Sequence, residues 1–349
     1  MMGESPLSYG FGVRSVLAGK EDAGLISPGI ADLFGGGDIV YGNLEAPISE
    51  KSEKNGWESG FFRADPGVMK ILKNSRFNVL SLANNHIMEH GAQSFRRTEE
   101  ILEKNGIVPV GIRNETRIIR KKQHTIAFSA YSFIEDFAPD SLYNKISSPA
   151  QIFEDIRQVR PRADIVVVGI HWGSEFVPLP SPDQVRLGRE LIDAGADIIL
   201  GCHPHVLQGY EVYRGRPIIY SMGNFIFDFS YLPETTKTVI TKIEIDDNLN
   251  MVPSFIPVII DRKNLSLTIA IGDEKMQIAS SMDAVRNLLL NRSVEEYAQE
   301  IGDYAFHESG SRRSAKQCMK VHFVKNLYRY PPGLSMTIIK KFLAKKARS

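Results

Sequence analysis

The chain has 349 residues, 43% of them hydrophobic and 24% charged, with a formal net charge of +1, a composition ordinary for a globular chain with a substantial core. Two cysteines, Cys202 and Cys318, exclude a disulfide framework, and their spacing fits no zinc knuckle. No apolar run approaches the roughly 20 residues that span a bilayer, and the opening MMGESPLSYGFGVRS holds no signal-peptide core, so a cytoplasmic or peripheral-membrane location is expected.

In chain order the predicted elements alternate. Helices over 66–75, 149–160 and 181–195 each precede a short, apolar, β-branched strand: FNVLSLA (77–83), DIVVVGI (164–170) and DIILG (197–201). Strands of that composition are covered on both faces. SPAQ (148–151) and SPDQ (181–184) each offer serine as N-cap, proline at the first helical position and glutamine at the third, the pattern of a capping box. Such alternation predicts an α/β sandwich.

After Gly201 the pattern changes to hairpins, one turning at Arg214-Gly215 and one near Asp247-Asn248. From about residue 280 helices dominate, one with a capping box at SVEE (293–296). The expected layout is an α/β body over residues 1–275 and a helical, basic extension over 276–349.

The charge is unevenly spread. Of 42 Lys/Arg and 41 Asp/Glu, residues 311–349 hold eleven basic side chains and no acidic one, which leaves residues 1–310 with ten more acids than bases. A basic tail beside an acidic body suits either an anionic partner or docking on its own body. Within MTIIKKFLAKKA (336–347), Met336, Ile338, Ile339, Phe342, Leu343 and Ala347 share a helical face flanked by Lys340, Lys341, Lys345 and Lys346. Such a helix lies on an anionic bilayer or packs against the body.

Polar residues collect where strands end. DIVYGNLEAP leaves Asn43 and Glu45 beyond a strand, and FNVLSLANNH ends in Asn84, Asn85 and His86. DIVVVGIHWGSE ends in His171 and Glu175, and DIILGCHPH in His203 and His205. Ligands of α/β sheets gather beyond the carboxyl ends of strands, so four strand ends would converge on one crevice. Imidazole nitrogen with carboxylate and amide oxygen is the ligand set of a divalent transition metal such as Mn, Fe, Zn or Co. The set exceeds what one ion needs and suits two ions sharing a bridging oxygen. Taken singly, His171 beside Trp172 also reads as a packed ring, and Glu175 as a carboxylate that orients His171. His90, His124, His307 and His322 fall outside these strand ends and read as structural, as does Cys202 as a small buried residue.

Together GNLEAP (42–47), SLANNHIMEHG (81–91), GIHWGSEF (169–176), GADIILGCHPHVLQG (195–209) and YSMGNFIFD (220–228) resemble the capsule-synthesis CapA family, the poly-gamma-glutamate biosynthesis proteins of calcineurin-like metallophosphoesterase fold. The resemblance implies two mixed sheets flanked by helices. It implies Glu45, with Asn43, as the metal-bridging acidic motif, and Asn85, His171, His203 and His205 as further ligands of two metal ions. His86 takes the part of the acid that serves the leaving group, and Asn224, on the pocket-lining SMGNF segment, contacts substrate. The implied function is a metallohydrolase or transferase of polyglutamate capsule or cell-envelope polymer synthesis. Its partner would be an anionic polymer or a phosphate-bearing substrate, and no nucleic acid is expected. A general phosphoesterase of nucleotides or sugar phosphates, or a non-catalytic polymer-binding module, are the alternatives.

The opening departs from that pattern. Family members begin with a strand ending in Gly-Asp, whose aspartate binds the first metal, whereas this sequence opens in the loop after it. Either the start has been placed too far downstream, or the fold is expected without its first strand and with one ion held more weakly; Glu4 could substitute for the aspartate, but a flexible terminus is a poor place for a ligand.

Overall fold

The computed structural model describes residues 3–18, 24–136, 138 and 142–346. Its first helices are α1 (Val13–Leu17) and α2 (Pro28–Gly35), followed by strand β1 (Tyr41–Asn43), helix α3 (Met69–Asn74) and strand β2 (Val79–Ser81). Helix α4 (Gly91–Lys104) leads to β3 (Val108–Val110), and β1, β2 and β3 form a parallel sheet in that order.

A larger sheet follows. Its strands are β4 (Arg117–Lys121), β5 (His124–Ser132), β6 (Ile165–His171), β7 (Ile198–Cys202), β8 (Tyr210–Tyr213) and β9 (Arg216–Ile219), in the order β4-β5-β6-β7-β9-β8. Its four central strands run parallel, and the two edge strands are antiparallel to their neighbours. Helices α5 (Ala150–Val159) and α6 (Pro182–Asp193) make the crossovers.

Alternation along the central strands decides what each face meets. Phe128, Val167, Ile198 and Leu200 turn into a core shared with the parallel sheet, α3 and α4. Ala127, Val166, Val168 and Ile199 turn the other way, onto Ile152, Ile156, Val185 and Leu191 of α5 and α6. Each aliphatic side chain so buried stabilises the fold by about 1.5–3 kcal/mol. The expected α/β layering is thus observed. One detail differs: the strands described form three sheets, because β10 (Lys237–Ile245), β11 (Met251–Ile260) and β12 (Leu267–Ile269) pair separately as an antiparallel sheet.

The hairpin turn at Arg214-Gly215 has both central residues at positive φ, 51° and 77°, the conformation that matches the twist of a two-residue hairpin. Of the three predicted capping boxes two form, Ser181 with Gln184 and Ser293 with Glu296. The third does not. Helix α5 starts beyond Pro149, and Ser148 Oγ lies 3.4 Å from the Ala150 N–H instead of reaching Gln151.

Four helices complete the chain: α7 (Gly272–Leu289), α8 (Val294–Ile301), α9 (Tyr304–Lys325) and α10 (Pro332–Lys346). Ala315, Cys318 and Met319 of α9 pack with Phe176, Phe229, Tyr231 and Leu232. Leu334 and Ile338 of α10 pack with Phe61, Phe323 and Tyr330. Ile338 therefore faces the body, while Met336 and Ile339 of the same predicted apolar face are exposed; the side chains of Phe342, Leu343 and Ala347 lie outside the described residues.

The start of the described chain is packed, contrary to the expected flexible terminus. Glu4 is buried, and its carboxylate accepts the backbone N–H groups of Gly10, Gly12 and Ser15 around the first turn of α1. Ser5 N–H donates to Asp228 Oδ2, and Ser8 Oγ donates to the Asp228 carbonyl. Burial pushes the Asp228 carboxyl up to about 7, with the Glu4 carboxylate adding to the rise. A carboxyl raised in the folded state contributes stability at pH values below its unfolded pKa and loses it as pH climbs through about 7. Asp228→Asn, which keeps an oxygen for Ser5, is expected to remove that loss, on the order of 3 kcal/mol. Urea unfolding at pH 5 and pH 8 checks it: the variant's gain on the parent protein, already begun at pH 5 above the unfolded pKa, should be clearly larger at pH 8.

Candidate metal centre

The parallel strands deliver their last residues to one place. Asn43 ends β1 and carries the chain to Glu45; β2 runs on to Asn84, Asn85 and His86; His171 ends β6; and β7 is followed by His203 and His205. Glu45, His171, His203 and His205 are all buried. The ligand atoms of Glu45, His171 and His203 lie within 4.8 Å of one another, and so do those of Glu175, His203 and His205. His203 belongs to both groups. Glu45 Oε1 stands between two rings, 3.8 Å from His171 Nε2 and 3.7 Å from His205 Nε2. Asn85 Oδ1 reaches the same point, 2.9 Å from His171 Nε2.

The HPH turn holds its rings at a conformational cost. His203 has φ 100° and His205 φ 61°, and neither has the freedom of glycine there. Backbone in such regions costs on the order of 1–3 kcal/mol per residue and persists where the surroundings impose it. Pro204 between them has a fixed φ, and its carbonyl accepts the Phe176 N–H at 2.8 Å.

A second layer aims the first. Cys202 Sγ lies 3.2 Å from His171 Nδ1, which turns Nε2 of that ring into the cluster. Asn224 Oδ1 accepts from His205 Nδ1 at 3.0 Å, and its Nδ2 donates to the Thr235 carbonyl. Asn224 is thus placed behind His205, with both ends of its amide engaged. Asn43 is likewise one step back: its Nδ2 donates to Glu45 Oε2, and its Oδ1 accepts from Asn84 Nδ2. Glu4, the acid considered for the opening motif, is held by backbone N–H groups and belongs to neither cluster.

The electrostatics keep the rings neutral. Burial, then the neighbouring imidazoles His203 and His205, hold His171 well below its ordinary value. Burial and the charge of His86 push His203 down to about 3, and burial with His203 does the same in direction for His205. Neutral imidazoles present lone pairs. Burial raises the Glu45 carboxyl to about 7 against the pull of His86.

One hydrogen-bonded feature beside the cluster escaped the sequence. His86 Nδ1 lies 2.8 Å from Glu89 Oε1, and Lys54 Nζ holds the other oxygen of Glu89. Burial alone would lower His86, but the Glu89 hydrogen bond and the Glu45 charge together raise it. The ring lies 4.4 Å from that of Phe62. Nδ1 is thus engaged by Glu89. Glu89 follows His86 by three residues in NNHIMEHG, a spacing that one turn brings together; that was the available signal. Of the four histidines read as structural, three hydrogen-bond outside the cluster: His90 to Ser52 and the Phe61 carbonyl, His307 to the Ile301 carbonyl and His322 to the Leu7 carbonyl.

Whether these residues fit a metal is decided by their unmet needs. Glu45 Oε1, His203 Nδ1 and His205 Nε2 are buried without a hydrogen-bond partner among the described residues. Each such atom costs about 1–3 kcal/mol unless something satisfies it. All three belong to the two ligand groups, and their oxygen and nitrogen chemistry is that of a borderline divalent cation. The residues fit.

Comparison with known proteins agrees with the motif resemblance. The family profile described as bacterial capsule synthesis protein PGA_cap matches residues 11–229, which include every residue of the cluster. The capsule biosynthesis protein CapA of Bacillus anthracis is 30% identical over 242 residues, 63% of this chain and 57% of the relative. The PGA biosynthesis protein CapA of Bacillus subtilis (strain 168) is 34% identical over 212 residues, 57% of this chain and 56% of the relative. The chain thus spans somewhat over half the length of these curated relatives. Among solved structures, one titled a novel phosphatase from Mycoplasma pneumoniae is 12% identical, covers 67% of this chain and 90% of that one, and has a TM-score of 0.44, too distant to carry an argument.

Proposed function

Because this chain belongs to the bacterial capsule synthesis protein family, we propose that it is a metal-dependent enzyme of polyglutamate capsule or envelope polymer synthesis, with hydrolase- or transferase-like chemistry. In this reading residues 1–275 carry the site and residues 276–349 are a helical, basic extension. The observation that supports it most is the set of three orphaned buried polar atoms, on Glu45, His203 and His205, all residues of the two overlapping groups.

Glu45, Asn85, His171, His203 and His205 would hold two divalent ions, of the Mn, Fe, Zn or Co kind, with Glu175 at the more open side. Bound there, such ions supply Lewis-acid stabilisation of developing oxygen charge and a nucleophile at neutral pH. The chain's own residues do the rest. Asn43 and Asn84 orient Glu45, Cys202 and Asn224 orient two imidazoles, and His86, held by Glu89, delivers a proton through Nε2 to the departing atom. The buried site excludes bulk water from these groups.

The substrate is an anionic polymer or a phosphate-bearing intermediate. A panel of poly-gamma-glutamate, envelope fragments and phosphomonoesters and diesters, assayed with added manganese, tests this. Turnover of the polymer or its activated precursor is expected. Turnover of simple phosphoesters alone would make the chain a general phosphoesterase, and binding of the polymer without turnover would make it a non-catalytic module.

A further inference from the structure

The outward face of α9 is at odds with an ordinary solvent-facing helix. Its inner face is defined by Ala315 and Phe323, which are buried, and by Cys318 and Met319, which pack on the aromatic wall beside the metal centre. At 100° per residue, Arg313, Lys320, Val321 and Val324 point the opposite way. Val324 is 69% exposed, and Tyr328, in the turn after the helix, 85%. Leu327, Met336 and Ile339 continue this exposed apolar set through that turn and along α10. Seven of the sixteen large hydrophobic side chains exposed among the described residues fall between 306 and 339. They cannot be dismissed as scattered.

Their charged companions are all cationic. Lys316, Lys320, Lys325, Arg329 and Lys340 are exposed among them, and no Asp or Glu occurs from residue 311 onward. Phe323, Tyr330, Leu334 and Ile338 of the same segments pack into one cluster against Phe61, so the inner sides of these segments meet at one place on the body. Among the described residues no helix is long and apolar enough to cross a membrane.

We propose that the outer face of α9, the following turn and α10 is a docking surface for an anionic lipid bilayer. Charge complementarity selects the anionic headgroups, and the interleaved Val321, Val324, Leu327 and Tyr328 select a bilayer over a soluble polyanion, which would need the lysines alone. The arrangement has a consequence for the metal centre. Phe229 and Phe176 lie between α9 and His205, with ring centroids 5.0 Å and 6.1 Å from that imidazole. Docking therefore sets the centre about one helix diameter, roughly 10–12 Å, plus one aromatic layer from the headgroups.

Co-sedimentation of the full chain with vesicles tests this, using phosphatidylcholine alone and phosphatidylcholine with phosphatidylglycerol. The chain should pellet with the anionic vesicles and stay in solution with the neutral ones. Val321→Ser, Val324→Ser and Tyr328→Ser together should weaken partitioning at least tenfold, and Lys316→Gln, Lys320→Gln and Lys325→Gln together should do the same. All six side chains are exposed, so thermal melting and metal content should match the parent protein. Absence of the parent chain from the anionic pellet would overturn the proposal. So would apolar-triple pelleting equal to the parent with release by soluble polyglutamate, which would mark a polyanion surface.

Discussion

Replacing His203 and His205 together by alanine is expected to abolish both metal uptake and turnover. His203 is common to the two ligand groups, and His205 Nε2 is the buried nitrogen facing Glu45 Oε1. Removing both leaves Glu45 and His171 in one group and Glu175 in the other, too few protein ligands to hold an ion tightly. Activity should fall to the level of the uncatalysed reaction, with less than a tenth of the parent's metal. The fold should survive, because two positive-φ histidines are replaced by smaller residues in a loop whose strands pack independently of them. Circular dichroism confirms that point. Unchanged metal content in the double variant would mean that other residues hold the ions.

The second large effect separates proton delivery from metal binding. His86→Ala is expected to keep the metal and lose turnover by about a hundred- to ten-thousandfold, the usual worth of a positioned acid. Glu89 acts through His86 and is a positioning residue. Glu89→Gln should cost about tenfold, with Glu89→Asp recovering part of it, and neither should change metal content. The split is read from kcat with metal analysis on the same samples. A His86→Ala variant that loses its metal would place that ring among the ligands instead. Equal losses in Glu89→Gln and His86→Ala would make the carboxylate itself indispensable.

Much of this was legible in the sequence because strand ends are local. A run of β-branched residues says where a parallel strand stops, and the residues after it gather at one edge of the sheet; Glu45, Asn85, His171, His203 and His205 do lie together there. Partners supplied by other segments were not legible. Cys202 read as a small buried residue, and nothing in its neighbours shows that β6 brings His171 Nδ1 to its sulfur. Asn224 read as a substrate contact because its segment resembles one that lines the family's pocket; that its Oδ1 meets His205 Nδ1 was not legible, because the partner comes from another segment. The Ser148 capping box failed for a local reason, a one-residue shift of the helix start that the SPAQ pattern does not encode. Charge and apolar residues in the tail announced a surface, whereas which side of α9 turns inward depended on Phe229 and Tyr231, remote in sequence.

The central claim, that side chains from separate strand ends share a pair of cations, is tested most directly by metal analysis of the purified chain after incubation with manganese, iron, zinc or cobalt and removal of the excess. The account predicts about two equivalents of a divalent transition metal per chain. A properly folded chain that emerges metal-free from all four would contradict it.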